Sequence, residues 1–163
     1  MPLSLVRVDD RLIHGQVIAV WVRALNPSII VIADDGTAAD EFLAEVIELA
    51  APPGVDVEVH TVADAVPRII ELAESPTRAF VLVRSPVSAL ELRKQGAPID
   101  VLNVGGIGSA PGRKPLYRNI SAGPEELAAM HELESMGTRV QLQIVADDTP
   151  VPFKNVAAQT KES

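Results

Sequence analysis

The sequence contains no cysteine. A disulfide framework and thiolate chemistry are therefore excluded, and a reducing compartment fits. Aromatic side chains are nearly as scarce: Trp21, Tyr117, Phe42, Phe80 and Phe153 are the whole set. The core must be made from Val, Ile, Leu and Ala, a composition suited to a parallel sheet covered by helices. The apolar runs are short and interrupted by charges, so no segment is expected to span a membrane. The start, MPLSLVRVDD, lacks the basic stretch and long apolar core of a signal peptide. Together these absences predict a soluble cytoplasmic protein that meets a membrane only through partners. Positive charge is not in excess either: the formal net charge is −8, which disfavours nucleic acid as a partner. The densest basic group, Arg113, Lys114 and Arg118, is too small for a nucleic-acid footprint and is expected to line a loop.

A chain of 163 residues, 47% of them hydrophobic, can bury one substantial core, and a single domain over 1–163 is expected. No internal repeat, low-complexity segment or long linker interrupts it. Strand-like apolar runs alternate with helical patterns, the signature of βαβ units. Strands are expected at 3–8, 28–33, 55–59, 79–83, 100–104 and 139–145, with a short further strand at 116–120. Helices are expected from Gly15 or Gln16 to about Ala24, over 38–49 with Phe42, Val46 and Leu49 on one face, up to Ser75-Pro76, between Ser85-Pro86 and Gly96, and over 124–136. Pro67 leaves two readings of its helix, a late start or a kink. The polar, proline-containing tail 147–163 either wraps the domain or is loose. The expected fold is α/β, a mostly parallel central sheet with helices on both faces.

In an open parallel sheet, ligands bind beyond the carboxyl ends of the strands. The sequence places Asp9, Asp10, Arg11 and His14 after the first strand. Asp34 and Asp35 follow the second, His60 the third, Arg84 and Ser85 the fourth. Asn103 and the glycine loop 105–112 come at the end of the fifth. Within VDDRLIHGQV (8–17), a neutral imidazole at His14 can attack phosphorus or carbonyl carbon if its other nitrogen is tethered. Asp9 or Asp10 can supply the tether. Arg11 offers a planar fork of donors suited to phosphate oxygens. Gly15 admits close backbone approach, and the helix opening at Gly15-Gln16 presents unpaired N–H groups and a positive dipole end. These parts suit a histidine that receives and passes on a phosphoryl group. The plainer alternative is a structural ion-pair cluster beside a capping histidine.

VDDRLIHGQV closely resembles the phosphorylation-site segment of enzyme IIB subunits in the mannose/fructose/sorbose family of the sugar phosphotransferase system. VIADDGTAAD (31–40), APPGV (51–55) and DVLNVGG (100–106) are similar to that family in the same order and spacing, and the resemblance extends roughly to Val145. It implies the sorbose-family IIB fold. It also implies that His14 accepts a phosphoryl group on Nδ1 from a phosphohistidine of a IIA partner and passes it to a sugar held by the membrane subunits IIC and IID. Arg11 would neutralise the phosphoryl oxygens, and Asp9 or Asp10 would orient the loop. Gly15, Gln16, Ser85, Asn103, Gly105 and Gly106 would complete the phosphoryl pocket. The donor is expected on a separate chain, and no cofactor is expected. Self-association is left open. Gly36, where family members often carry an acid, and the stretch 107–119 depart from the family pattern.

Two other readings are carried alongside. One is a phosphorylation-dependent regulatory module without transport. The other is a nucleotide-binding α/β domain, weakly suggested by Gly105-Gly106-Ile107-Gly108, which lacks the G-x-G-x-x-G spacing and an ensuing helix. No metal site is expected, since His14, His60 and His131 lie on separate elements without a ligand spacing. His60 is expected to hydrogen-bond locally, His131 to be solvated, and Trp21 to be core.

Overall fold

The computed structural model describes residues 3–13 and 16–161, with side-chain detail for all of these except 16, 17 and 158–161. The chain runs β1 (Leu5–Asp9), α1 (Gln16–Leu25), β2 (Ile29–Ala33), α2 (Asp35–Ala39), α3 (Glu41–Leu49), β3 (Asp56–His60) and α4 (Val62–Ala73). It continues through β4 (Ala79–Val83), α5 (Pro86–Lys94), β5 (Val101–Gly106), β6 (Lys114–Tyr117), β7 (Ile120–Ala122), α6 (Pro124–Ser135), β8 (Arg139–Leu142), β9 (Val151–Pro152) and α7 (Phe153–Lys161). Seven strands form one sheet in the order β3-β2-β4-β1-β5-β8-β9. Every pairing is parallel except that of β9 with β8.

Strand alternation sorts the apolar residues onto two faces. Ile30, Ile32, Leu5 and Leu82 join Ile18 and Trp21 of α1 and Ile47 of α3 on one side. Val31, Val6, Val81 and Leu102 join residues of α4, α5, α6 and α7 on the other. Helices therefore cover both faces, as the composition predicts. The central strands β1, β2 and β4 are buried end to end, the burial expected of interior parallel strands.

Several expected boundaries move. β1 runs one residue further and includes Asp9. The helix expected over 38–49 is two helices, because Asp40 both closes α2 and caps α3 by accepting from the Leu43 amide. α4 continues through Pro67, so the helix does not start after it. Pro67 and Ala63, whose carbonyl loses its helical partner, are both exposed, so water can take the freed acceptor. The expected strand at 116–120 spans instead the end of β6, the turn at Arg118-Asn119 and the start of β7 in an antiparallel hairpin, with Arg118 at φ 46°. The tail wraps the domain: β9 extends the sheet, and Phe153 of α7 is fully buried.

The strand order puts a switch point between β1 and β5. From β1 the chain leaves through α1 on one face and proceeds to β2. From β5 it leaves through the β6–β7 hairpin and α6 on the other face and proceeds to β8. Two neighbouring strands whose connections depart to opposite sides leave a crevice at their carboxyl ends.

Candidate functional site

β1 reads LVRVD, an apolar strand with an arginine at its centre. Arg7 is 1% exposed. A buried guanidinium must be paired and hydrogen-bonded, and here it is. It donates to Asn103 Oδ1, to the carbonyls of Gln143 and Ile144 at 2.8 Å each, and to Asp9 Oδ2 at 3.4 Å. Its carbon lies 5.0 Å from the centre of the Trp21 ring. Burial lowers its pKa to about 10, against the opposing pull of Asp9, so it remains charged at neutral pH. Asn103 in turn donates to Gln143 Oε1 at 2.9 Å.

Space for this arginine comes from β5. The pairing of β1 with β5 slips between Val8 and Asp9, so that Asp9 faces Gly106 and Gly105 is the extra residue. A Cβ on Gly105 would overlap the Arg7 guanidinium. A Cβ on Gly106 would sit 2.8 Å from Asp9 Oδ1. These glycines are required by the side chains of β1.

Asp9 passes the order of Arg7 outward. Its buried carboxylate accepts from the Arg11 backbone amide and from Arg11 Nε, both at 3.1 Å, and from Nη2 at 3.3 Å. The Asp9 hydrogen bond raises the Arg11 pKa. Arg11 is thus a fixed, permanently charged group with its side chain 42% exposed. Asp10 points the other way and accepts from the Gly108 amide at 2.7 Å, tying the first loop to the glycine loop. Arg113 anchors that loop from below, donating to the Gly108 carbonyl at 2.9 Å and to Glu126 at 2.7 Å. Between the two loops lies a cleft of about 390 Å³. Asp10 and Arg11 form one wall, residues 106–109 the other, and Asn119 and Ser121 come from the hairpin. It occupies the β1/β5 switch point. A larger cavity of about 740 Å³ opens at the other end of the sheet, around Leu3, Leu25, Gly96 and Asp100. Its wall includes Trp21, Asn103 and Gln143, which hold Arg7, but none of the loop residues 9–11 and 106–109.

His14 and Gly15 lie outside the described residues, as does the Gln16 side chain, although Gln16 begins α1. Leu12 and Ile13, just before His14, are buried in the same core cluster as Ile18 and Trp21 of α1 and Ile47 of α3. Of the other expected site residues, Asp10, Arg11 and Gly106 meet at the cleft, and Asp9 lies buried behind Arg11. Asn103 and Gly105 are placed beneath it, engaged with Arg7. Ser85 caps α5 by accepting from the Val87 amide at 2.9 Å. Asp34 caps α2 and pairs with Arg84 at 3.4 Å. His60 bonds Glu58 at 2.8 Å, and His131 meets Phe153 edge-on. Among the described residues no cluster suits a metal ion, and no helix is long and apolar enough to cross a membrane. Sequence reasoning missed Arg7 and its partner Gln143. The available signal was a lone arginine in a strand otherwise fit only for the core.

Comparison with known proteins decides what kind of protein carries this site. Residues 3–163 match the family described as the sorbose subfamily IIB component of the phosphotransferase system. The chain belongs to this family. A sorbose-specific EIIB component of Klebsiella pneumoniae is 36% identical over 151 residues, covering 93% of this chain and 92% of that one. The crystal structure of the IIBSor domain of the sorbose permease from the same organism superposes with a TM-score of 0.90 at 35% identity, covering 98% of each chain. The mannose-specific EIIAB component of Escherichia coli is 30% identical over 163 residues, and this IIB chain spans 49% of it. As a IIB component the chain is a phosphocarrier and a sugar phosphotransferase subunit.

Proposed function

We propose that this IIB chain accepts a phosphoryl group on His14 from the phosphohistidine of a IIA partner. It then gives that group to a sugar bound by the membrane subunits IIC and IID, so that uptake and phosphorylation are coupled in the cytoplasm. The observation that carries this reading is the Arg7–Asp9–Arg11 clamp. It holds a charged guanidinium at the mouth of the switch-point cleft, three residues before His14. Phosphoryl transfer needs positioning and charge stabilisation more than covalent help from the protein, and a preorganised fork supplies both.

In the first step His14 Nδ1 forms a bond to phosphorus as the donor's N–P bond breaks. In the second, a sugar hydroxyl oxygen attacks phosphorus, the His14 N–P bond breaks, and the hydroxyl proton passes to solvent or to a base on the acceptor side. Arg11 faces the phosphoryl oxygens in both steps. Gly15, the opening of α1 at Gln16, the Gly106–Gly108 backbone and Ser85 complete the pocket. Asp9, Asn103 and Gly105 act from behind by fixing the arginines. The EIIAB relative, in which the IIB part is about half of a longer chain, supports a IIA partner.

The test is a phosphotransfer assay with enzyme I, HPr, IIA and phosphoenolpyruvate, with the phosphate mapped by mass spectrometry under non-acidic conditions. An acid-labile phosphate on His14, lost in His14→Ala, is expected. A chain that stays unphosphorylated beside a charged IIA, or carries phosphate elsewhere, overturns the reading.

A further inference from the structure

α3 presents an apolar face to solvent. Phe42 is 77% exposed, Leu49 80% and Val46 39%. Their spacing of four and three residues puts them in one row along the helix. The core contacts of α3 are made by Leu43 and Ile47, on the adjacent face. On the other side of the row stand Glu41, Glu45 and Glu48, all exposed. From Asp34 to Ala50 the chain carries six acids and no base. A row of large apolar side chains flanked by one sign of charge is the makeup of a partner surface.

We infer that this row docks the membrane-embedded acceptor of the phosphoryl group, on cytoplasmic loops that are apolar at the centre and basic at the rim. The inference rests on the transfer function proposed above and goes further by assigning a surface to one of its partners. Charge complementarity selects the occupant. Short cytoplasmic loops of membrane proteins are enriched in lysine and arginine, which the glutamate flank attracts. A second copy of this chain would set glutamate against glutamate. Bare anionic lipid is repelled by the same flank. The position also fits. α3 starts at the carboxyl-end rim, directly after α2, and shares its packing cluster with α1 and with Leu12 and Ile13. A partner seated on the row is therefore held beside the loop that continues to His14.

The experiment uses the full chain and inverted membrane vesicles carrying IIC and IID subunits with which it drives sugar phosphorylation. Vesicles of the same lipids without these subunits serve as controls. Phe42→Gln/Leu49→Gln and the flank reversal Glu45→Lys/Glu48→Lys are compared with the unaltered chain in binding to vesicles and in phosphoryl uptake from IIA. All four positions are exposed, and circular dichroism checks each fold. Each double variant is expected to bind the IIC/IID vesicles about tenfold or more weakly while accepting phosphate from IIA at the unaltered rate. Added salt should weaken binding of the unaltered chain. Equal binding by variant and unaltered chain overturns the proposal. So does loss confined to uptake from IIA, which gives the row to the donor, or a concentration-dependent dimer of the chain that the variants lack. If the unaltered chain takes no phosphate from charged IIA, the transfer reading itself falls, and this inference with it.

Discussion

Asp9 and Glu58 have the same immediate chemistry. Each carboxylate is held by two basic side chains, Asp9 by Arg7 and Arg11 and Glu58 by Arg68 and His60. Their settings differ. The Arg7 and Asp9 side chains are 1% and 6% exposed, whereas those of Glu58, His60 and Arg68 are all near 30%. In the interior, every donor of such a cluster needs a designated acceptor, and neighbouring backbone must be shaped around it. That is why Asn103, two carbonyls from residues 143 and 144 and a side-chain-free Gly105 surround Arg7. At the edge strand β3, water completes whatever the partners leave, and the cluster makes few demands on the rest of the chain. Buried charge therefore holds several strands in one arrangement, and the loop that carries Arg11 inherits that order. Surface charge of the same composition decorates an edge.

The contrast is sharpest on deleting the inner cation. Arg7→Met leaves Asp9 buried with Arg11 alone and strips Asn103 and two carbonyls of their donor. We expect a loss of about 3–5 kcal/mol in urea unfolding, the usual cost of breaking a buried pair from one side. The same exchange at Arg68 should cost under about 1 kcal/mol. Adding Asp9→Asn to Arg7→Met should recover part of the loss by removing a buried charge left with only the half-exposed Arg11, and a double-mutant cycle measures it. Equal costs at Arg7 and Arg68 would refute burial as the deciding variable.

Gly105→Ala attacks the same clamp without touching a charge. The added methyl must displace the Arg7 guanidinium, and overpacking of this kind costs about 1–3 kcal/mol. We expect phosphoryl acceptance to fall more than stability, because the displaced guanidinium releases Asp9 and Arg11. Measuring both quantities on the same preparation separates the effects. Gly112→Ala is the control at a glycine with open space around the Cβ position, where the strain of φ 84° is local.

Arg11→Lys keeps the charge and loses the fork. Stability should change by well under 1 kcal/mol, since the side chain is half exposed. Phosphoryl uptake from IIA should slow about tenfold, the equivalent of one charge-assisted hydrogen bond of about 1.5 kcal/mol. Normal transfer by this variant would remove Arg11 from the phosphoryl pocket.

What could be read in the sequence follows the same division. VDDRLIHGQV placed Asp9, Asp10 and Arg11 at the rim because turn acids and a helix start are local signals. The parallel sheet was legible from buried runs such as IIVIA and AFVLV. Arg7 was not, since its hydrogen-bond partners other than Asp9 are 96 to 137 residues away and only the strand order brings them together. For the same reason Gly105 and Asn103 read as parts of a ligand loop, although their nearest neighbour is Arg7. Periodicity found the row Phe42, Val46 and Leu49, but it does not say which face of a helix the sheet covers. Here Leu43 and Ile47 take the core contacts.

The smallest effect tests the exposed cluster on its own terms. Burial alone would raise the Glu58 pKa, yet the hydrogen bonds from Arg68 and His60 outweigh it and hold the carboxyl below its ordinary 4.5. A depressed carboxyl pKa means that the unfolded chain binds the proton more readily. The stabilisation is therefore complete above the unfolded value and is lost as pH falls through the folded one. Glu58→Gln should lower stability at pH 7 by about 0.5 kcal/mol, within the range of exposed pairs. The gap between the two proteins should close as the pH is taken well below 4.5. It should also shrink in molar salt at pH 7, because a third of each side chain is open to screening, whereas the cost of Arg7→Met should survive salt almost unchanged. Urea titrations of both variants at low and high salt measure this. If the Glu58 cost resists salt as the Arg7 cost does, the two clusters are one kind of structure and exposure does not divide them.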